Sequence, residues 1–332
     1  MRAVILDHAT LAPADLTLEP LWQLPVEWQV FDATAPHETA ARVREADVVL
    51  TNKVTLDAQL LRSEPGIKLI VIMATGTNNV DLAVARELGI AVSNIVNYST
   101  ESVVQHTFAL MLTLATKLLQ YRADIADGRW RQSKQFGLLD HPVMELHGKT
   151  LGIIGYGTIG RRVADVARAF GMQVLIAQRA HKSNDGIDAQ SESLSTVQSD
   201  TERRVPLAEL LASADIVSLH CPLTADNRCM INADAIACMK SQSLFINVSR
   251  GGLVDEQALA DALKAGRIAG AGIDVLSEEP PVTGNPLLAP DVPNIIVTPH
   301  SAWASREARQ TLVNDVAAII DAFMQGQRIN AV

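Results

Sequence analysis

Residues 151–175, LGIIGYGTIGRRVADVARAFGMQVL, hold the spacing that binds a dinucleotide. Gly155, Gly157 and Gly160 stand in G-x-G-x-x-G register, and each has a physical task. Gly155 permits a tight turn off a strand, Gly157 lets a pyrophosphate approach bare backbone, and Gly160 lets the next helix pack closely on the sheet. The helix start, at Thr158 and Ile159, adds partial positive charge that suits phosphates. Apolar Leu151, Ile153 and Ile154 precede the turn. Helical spacing of Ile159, Val163, Val166, Ala167 and Phe170 follows it, with Gly171 as a stop. Four further segments come behind: His220-Cys221-Pro222-Leu223-Thr224, Asn247-Val248-Ser249-Arg250-Gly251-Gly252, Asp274-Val275-Leu276-Ser277-Glu278-Glu279-Pro280 and Thr298-Pro299-His300-Ser301-Ala302-Trp303. Each lies near a predicted strand end, where open α/β sheets place ligands. Singly, an arginine before two glycines reads as a solvated turn, and a histidine after proline as a satisfied loop residue. In this order, behind a dinucleotide turn, they read as one site.

Those segments need a parallel sheet to position them. From Thr150 onward, strands are predicted at 151–154, 174–176, 216–219, 244–247, 270–274 and 295–298. The first hundred residues form a second α/β series, with strands at 3–6, 29–31, 48–50, 69–73 and 91–93 and helices at 40–45 and 81–88. A long helix over 99–121 leads from one series to the other. After the proline-rich stretch 279–294, an amphipathic helix at 305–325 has Ser305 as N-cap, Glu307 in its first turn and Gly326 as its stop. It returns to the first series, so the expected domains are 1–98 plus 299–332, discontinuous, and 99–298. The polar stretch 181–204 reads as a flexible surface loop, and no short internal repeat is present.

A chain of 332 residues exceeds one typical core, in keeping with two domains. Its net charge of −9 argues against a broad nucleic-acid or anionic-membrane surface. The stretch 103–119 contains Gln105, His106, Thr107, Thr113 and Lys117, too polar for a bilayer span. The three cysteines, Cys221, Cys229 and Cys238, lack zinc-like spacing and read as free thiols in a reducing compartment, with no metal site. The N-terminus turns polar too soon for a signal peptide, so the cytoplasm is expected.

Over essentially its whole length the chain resembles the D-isomer-specific 2-hydroxyacid dehydrogenases, through the G-x-G-x-x-G, the N-x-S-R-G-G turn, the G-x-D-V…E-P segment and the T-P-H. Thr51-Asn52-Lys53-Val54 and Trp303 make it most similar to the glycerate dehydrogenase and hydroxypyruvate (glyoxylate) reductase group. The resemblance implies an α/β fold of two Rossmann-like domains, each a parallel sheet flanked by helices, with a cleft between them. It also implies a homodimer formed through a helix and arm at about 103–147, where Trp130, Phe136, Leu138 and Leu139 lie.

Carried over by motif, His300 is the general acid in reduction and the base in oxidation. Glu279, directly before the proline, orients it, and is preferred over Glu278 on that ground. A carboxylate there favours the imidazolium, the form that can donate. A glutamine at this position would have pointed to formate as substrate. Arg250 grips the substrate carboxylate and carbonyl with its planar fork. Thr75 and Gly76, in the loop after the fourth strand, resemble the backbone that binds the substrate carboxylate; Lys53 and Trp303 are further substrate-side candidates. Asp274 resembles the residue near the nicotinamide carboxamide. His220, Cys221, Pro222, Val248, Ser249 and Arg250 resemble walls of the cofactor cleft, with Cys221 a packing contact.

NAD-specific sites usually end the second strand of the nucleotide fold with an acid that binds the ribose 2′-hydroxyl. Here Gln178 occupies that place, followed by Arg179, His181 and Lys182, which could neutralise a 2′-phosphate. This favours NADP(H), with NAD(H) as the alternative, and Asp185 and Asp188 could offset the positive charge. The expected reaction is reversible NAD(P)H-dependent reduction of a small 2-keto acid, hydroxypyruvate or glyoxylate, to D-glycerate or glycolate. D-lactate-type and phosphoglycerate-type dehydrogenases are the alternatives within enzymes. The phosphoglycerate type is disfavoured because residues 51–54 and 74–79 offer only Lys53 as a cation. A dinucleotide-sensing, corepressor-like binding protein is the alternative outside enzymes.

Overall fold

The structure, a computed structural model, describes residues 1–179 and 203–332. They divide into two compact units, Met1–Ser99 with Trp303–Val332, and Thr100–Ala302.

The first unit is built on a five-stranded parallel sheet: β1 (Arg2–Ile5), β2 (Glu27–Val30), β3 (Val48–Thr51), β4 (Leu69–Ile72) and β5 (Ala91–Asn94), ordered β2-β1-β3-β4-β5. The runs VVLT and LIVI are buried on both faces, which is why they read as continuous apolar stretches without alternation. Val43, Leu61, Val84 and Ala85 cover one face. Helix Arg306–Met324 covers the other with Leu312, Val316 and Ile320. Ser305 caps that helix by accepting from the Ala308 N–H. Arg309, nearly buried, grips the Asp15 carboxylate with both guanidinium nitrogens (2.7 and 2.8 Å).

The second unit holds a seven-stranded parallel sheet: β6 (Thr150–Ile154), β7 (Gln173–Ala177), β8 (Arg203–Val205), β9 (Ile216–Leu219), β10 (Leu244–Asn247), β11 (Gly270–Ile273) and β12 (Ile295–Val297). Their order is β12-β11-β10-β9-β6-β7-β8, so the strand order reverses between β6 and β9. Leu219, Phe245, Ile273 and Leu259 lie within its core.

Three expectations need correction. The long helix is broken into Thr100–Ala115 and Leu118–Ala126, bent by 58°. Lys117 takes a left-handed conformation (φ +55°), and the Ala115 carbonyl accepts instead from the Met144 N–H of the following arm. No glycine or proline marks this break, because a distant donor causes it. Second, Arg203 and Arg204 are strand, not loop: β8 pairs with β7 in register Ile176↔Arg204, on a sheet edge too short for a periodic signal. The rest of the 181–204 loop, apart from these two residues, lies outside the described residues. Third, the expected domain break before residue 299 moves to between Ala302 and Trp303. The Ser301 and Ala302 N–H groups both donate to the Asp274 carboxylate (2.9 and 3.0 Å), which keeps this turn in the second unit. Among the described residues no single helix is long and apolar enough to cross a membrane.

Candidate active site

The described candidate cofactor residues lie at the carboxyl ends of β6, β7, β9 and β10, around the point where the strand order reverses, with Asp274 after β11. Gly155 leaves β6 at φ +97°, a conformation that side chains avoid. A Cβ there would also fall 2.4 Å from the His220 carbonyl carbon, so the turn is packed directly on the end of β9. A Cβ on Gly157 would meet nothing within 4 Å. Gly157 is the N-cap of helix Thr158–Ala169 and has no side chain to satisfy the first-turn N–H groups. Open space beside free backbone donors at a helix start fits a dinucleotide pyrophosphate. Thr158, Ile159 and buried Gly160 form that first turn.

Gln178 follows β7, its N–H donating to the Val205 carbonyl (2.8 Å), with Arg179 exposed beside it. Lys182, Asp185 and Asp188 lie outside the described residues. The Arg161 and Arg204 guanidiniums stand 5.7 and 5.6 Å from the centre of the Tyr156 ring, within the glycine turn. Val248 and Ser249 are buried after β10, and the Ser249 hydroxyl donates to the Leu219 carbonyl (2.6 Å). Fully buried Asn247 closes the turn: Oδ1 accepts from the Ser249 N–H (3.0 Å) and Nδ2 donates to the Arg250 carbonyl (2.9 Å).

His220 follows β9, with ring Nε2 2.8 Å from the Ser218 hydroxyl and buried Nδ1 without a protein partner. Burial pushes its pKa from 6.5 down to about 4, so the ring is neutral at pH 7. The unfolded chain therefore binds a proton more readily than the folded one. This stabilisation is complete above about pH 6.5 and is lost as pH falls toward 4. Denaturant midpoints measured at pH values above and below this window should fall more for the wild type than for His220→Gln; equal losses would exclude the ring as the cause. Burial also pushes the Cys221 thiol up, which suits a packing contact and not a nucleophile. Pro222 offers its carbonyl to the Asn227 amide (2.8 Å).

Three neighbouring strands, β10, β11 and β12, deliver Arg250, then Asp274 and Glu279, then His300. Glu279 Oε2 lies 2.6 Å from His300 Nδ1, while Oε1 accepts from the Leu276 N–H (2.8 Å). Glu278 instead accepts from the Thr283 hydroxyl (3.0 Å). The Arg250 Nη1 donates to the Ser249 carbonyl (2.7 Å), anchoring one edge of its fork.

His300 has a left-handed backbone (φ +52°), a conformation that costs a non-glycine residue of order 1–3 kcal/mol. Asp274, 1% exposed, overdetermines it. Its carbonyl accepts from the His300 N–H (2.8 Å), and its carboxylate accepts from the N–H groups of Ser301 and Ala302 and from the Thr298 hydroxyl (2.5 Å). Hydrogen bonds to a charged group contribute about 1.5–3 kcal/mol each, so the set outweighs the strain. Asp274 is thus the anchor of the histidine turn. His106 extends the chain: Thr298 has already donated its proton to Asp274, so His106 Nε2, 2.9 Å from the Thr298 hydroxyl, is the donor there. Sequence reasoning counted His106 only as a polar interruption of an apolar helix; that interruption was the available signal.

The substrate-side candidates lie in the first unit. Lys53 follows β3, in a turn pinned by buried Asp7, whose carboxylate accepts from the N–H groups of Asn52, Lys53 and Val54. Asp7 escaped sequence reasoning because its partners are 45 to 47 residues away. Thr75 donates its hydroxyl to the Ile95 carbonyl (2.9 Å), and its own carbonyl accepts from Asn94 Nδ2 (2.7 Å). Gly76 continues the same loop, and Trp303 meets Tyr98 edge-on at 6.2 Å.

This arrangement has known counterparts. A family model described as D-isomer specific 2-hydroxyacid dehydrogenase, NAD binding domain, matches residues 108–302. The chain is 40% identical over 332 residues to a glycerate dehydrogenase of Methylorubrum extorquens, covering 100% of this chain and 98% of that one. It is 37% identical over 335 residues to a hydroxypyruvate reductase of Blautia hydrogenotrophica, covering 100% and 99%. Among solved structures, an NADPH-dependent glyoxylate/hydroxypyruvate reductase of Sinorhizobium meliloti superimposes with a TM-score of 0.79 at 27% identity, covering 100% and 97%. With a dinucleotide turn at the sheet's reversal point and relatives spanning its whole length, the chain belongs to the D-isomer-specific 2-hydroxyacid dehydrogenase family and is an NAD(P)-dependent oxidoreductase.

Proposed function

We propose that the enzyme reduces hydroxypyruvate to D-glycerate, and glyoxylate to glycolate, with NADPH preferred over NADH. The observation that carries the acid–base reading is the Glu279–His300 pair at 2.6 Å. A carboxylate on Nδ1 orients the ring and leaves Nε2 to exchange a proton with the substrate. The bound reduced dinucleotide supplies the hydride to the carbonyl carbon. His300 gives its Nε2 proton to the oxygen as that oxygen gains charge, and Arg250 holds the carboxylate end by paired N–H donors. Lys53, Thr75, Gly76 and Trp303 are the proposed substrate-side residues. The substrate class is supported by relatives named glycerate dehydrogenase, hydroxypyruvate reductase and glyoxylate reductase.

The cofactor preference rests on Gln178 in place of an acid and on Arg161, Arg179 and Arg204 around the glycine turn and the ends of β7 and β8. Initial rates with hydroxypyruvate, read from loss of reduced-nicotinamide absorbance, should be faster with NADPH than with NADH. Gln178→Asp should reverse the ratio, raising the KM for NADPH on the order of tenfold or more, as expected when a carboxylate opposes a 2′-phosphate. Equal KM values for both cofactors in both proteins would refute the preference. Absence of turnover with hydroxypyruvate and glyoxylate would refute the substrate assignment.

A homodimer is also proposed. Phe136 is 100% and Leu139 89% exposed, and Leu118, Ile125, Trp130 and Val143 add exposed apolar side chains along the same stretch of chain, while Leu138 is half-buried. Sedimentation at micromolar concentration should give the mass of two chains, and Phe136→Asp with Leu139→Asp should give one. A cytoplasmic setting suits the free thiols of Cys221, Cys229 and Cys238.

A further inference from the structure

Glu256 joins the two pieces of chain that carry Arg250 and Glu279. It opens helix Glu256–Lys264, just after the Gly251–Leu253 turn that follows Arg250. Its Oε1 accepts from the Ser277 N–H (2.7 Å), and its Oε2 accepts from the Ser277 hydroxyl and from Asn285 Nδ2 (2.8 Å). Ser277 and Asn285 bracket the loop that bears Glu279. The backbones also touch: a Cβ on Gly251 would fall 2.0 Å from the Leu276 carbonyl carbon and 2.3 Å from the Ser277 nitrogen. Leu276 in turn donates its N–H to Glu279 Oε1. The path from Glu256 to the His300 ring therefore runs through the consecutive N–H groups of Ser277 and Leu276 and the Glu279 carboxylate.

We propose that Glu256 is a positioning residue for the reaction, holding Ser277 and Asn285 so that the Glu279 carboxylate stays against His300 Nδ1. This rests on the acid–base reading of Glu279 and His300. Glu256 does not touch the reacting atoms; it acts through the placement of Glu279. Released at Ser277 and Asn285, the loop keeps its peptide contact with Gly251 but loses three hydrogen bonds to a charged group. A shift of about 1 Å in a catalytic group can lower a rate on the order of 10²-fold.

The test is a double-mutant cycle on the full chain, joining Glu256→Ala and Glu279→Gln, with kcat, KM for hydroxypyruvate, dinucleotide affinity and unfolding midpoint measured for each protein. Glu256→Ala should lower kcat about ten- to a hundredfold with dinucleotide affinity unchanged. In the Glu279→Gln background the same substitution should change kcat by no more than about twofold. Glu256→Gln keeps an acceptor for the Ser277 N–H and should recover most of the activity. Asn285→Ala, which removes one strand of the clasp, should give a smaller loss and supplies the cycle if Glu256→Ala fails to fold. Losses that multiply in full in both backgrounds, or an unchanged kcat in Glu256→Ala, overturn the proposal while leaving the acid–base reading intact. An unchanged kcat in Glu279→Gln alone overturns that reading, and this proposal with it.

Discussion

Replacing His300 with asparagine should lower kcat by about 10²- to 10⁴-fold, the usual contribution of a positioned general acid, while the protein remains folded. Asparagine is the informative choice. His300 sits at φ +52°, a region that asparagine enters more readily than most residues, so the turn held by Asp274 survives the change. The imidazole is lost and the backbone is not. Dinucleotide affinity, measured by fluorescence, should match wild type, because the glycine turn lies at the end of β6, several strands away. A kcat within tenfold of wild type would remove His300 from the proton transfer. A large fall in the unfolding midpoint would mean that the ring, and not the turn around it, holds the segment together.

Arg250→Lys should also be severe, although it keeps the charge. The lysine ammonium cannot reproduce a planar fork, and one edge of that fork is already committed to the Ser249 carbonyl. Each lost hydrogen bond between charged partners is worth about 1.5–3 kcal/mol, so kcat/KM should drop by at least one to two orders of magnitude. The loss should fall on the keto acid, with the KM for the dinucleotide changing little. Unchanged kcat/KM would exclude Arg250 from the substrate carboxylate. Because the Asn247 side chain holds both Ser249 and the Arg250 carbonyl, Asn247→Ala should reproduce part of the Arg250 defect.

Much of this was legible in the chain as written. Eleven of the twelve strands among the described residues fall where short apolar runs between turn residues predicted them. Runs such as VVLT and LIVI are long enough to bury on both faces, and they declare themselves within four or five residues. The glycine turn was equally plain, since its requirements are local: a bend, an open approach and a helix start. The resemblance to the 2-hydroxyacid dehydrogenases was carried by motifs of this kind, each a few residues long, and the family assignment is borne out. The capping residue Ser305 likewise acts on an N–H group three positions ahead.

What escaped is what depends on partners far away in sequence. The break at Lys117 answers to Met144, β8 exists because β7 offers it an edge, and Asp7 holds a turn more than forty residues on. His106 reaches Thr298 across 192 positions, and Glu256 reaches Ser277 and Asn285 across 21 and 29. The resemblance, carried by short motifs, pointed to His300, Arg250 and Glu279 as the proposed proton-transfer and substrate-gripping groups, because such motifs are local in the chain. Which turn is forced into a left-handed conformation, and which buried acid holds it there, follow from packing. A buried polar group must find a partner wherever the folded chain brings one, and no window of sequence contains that partner.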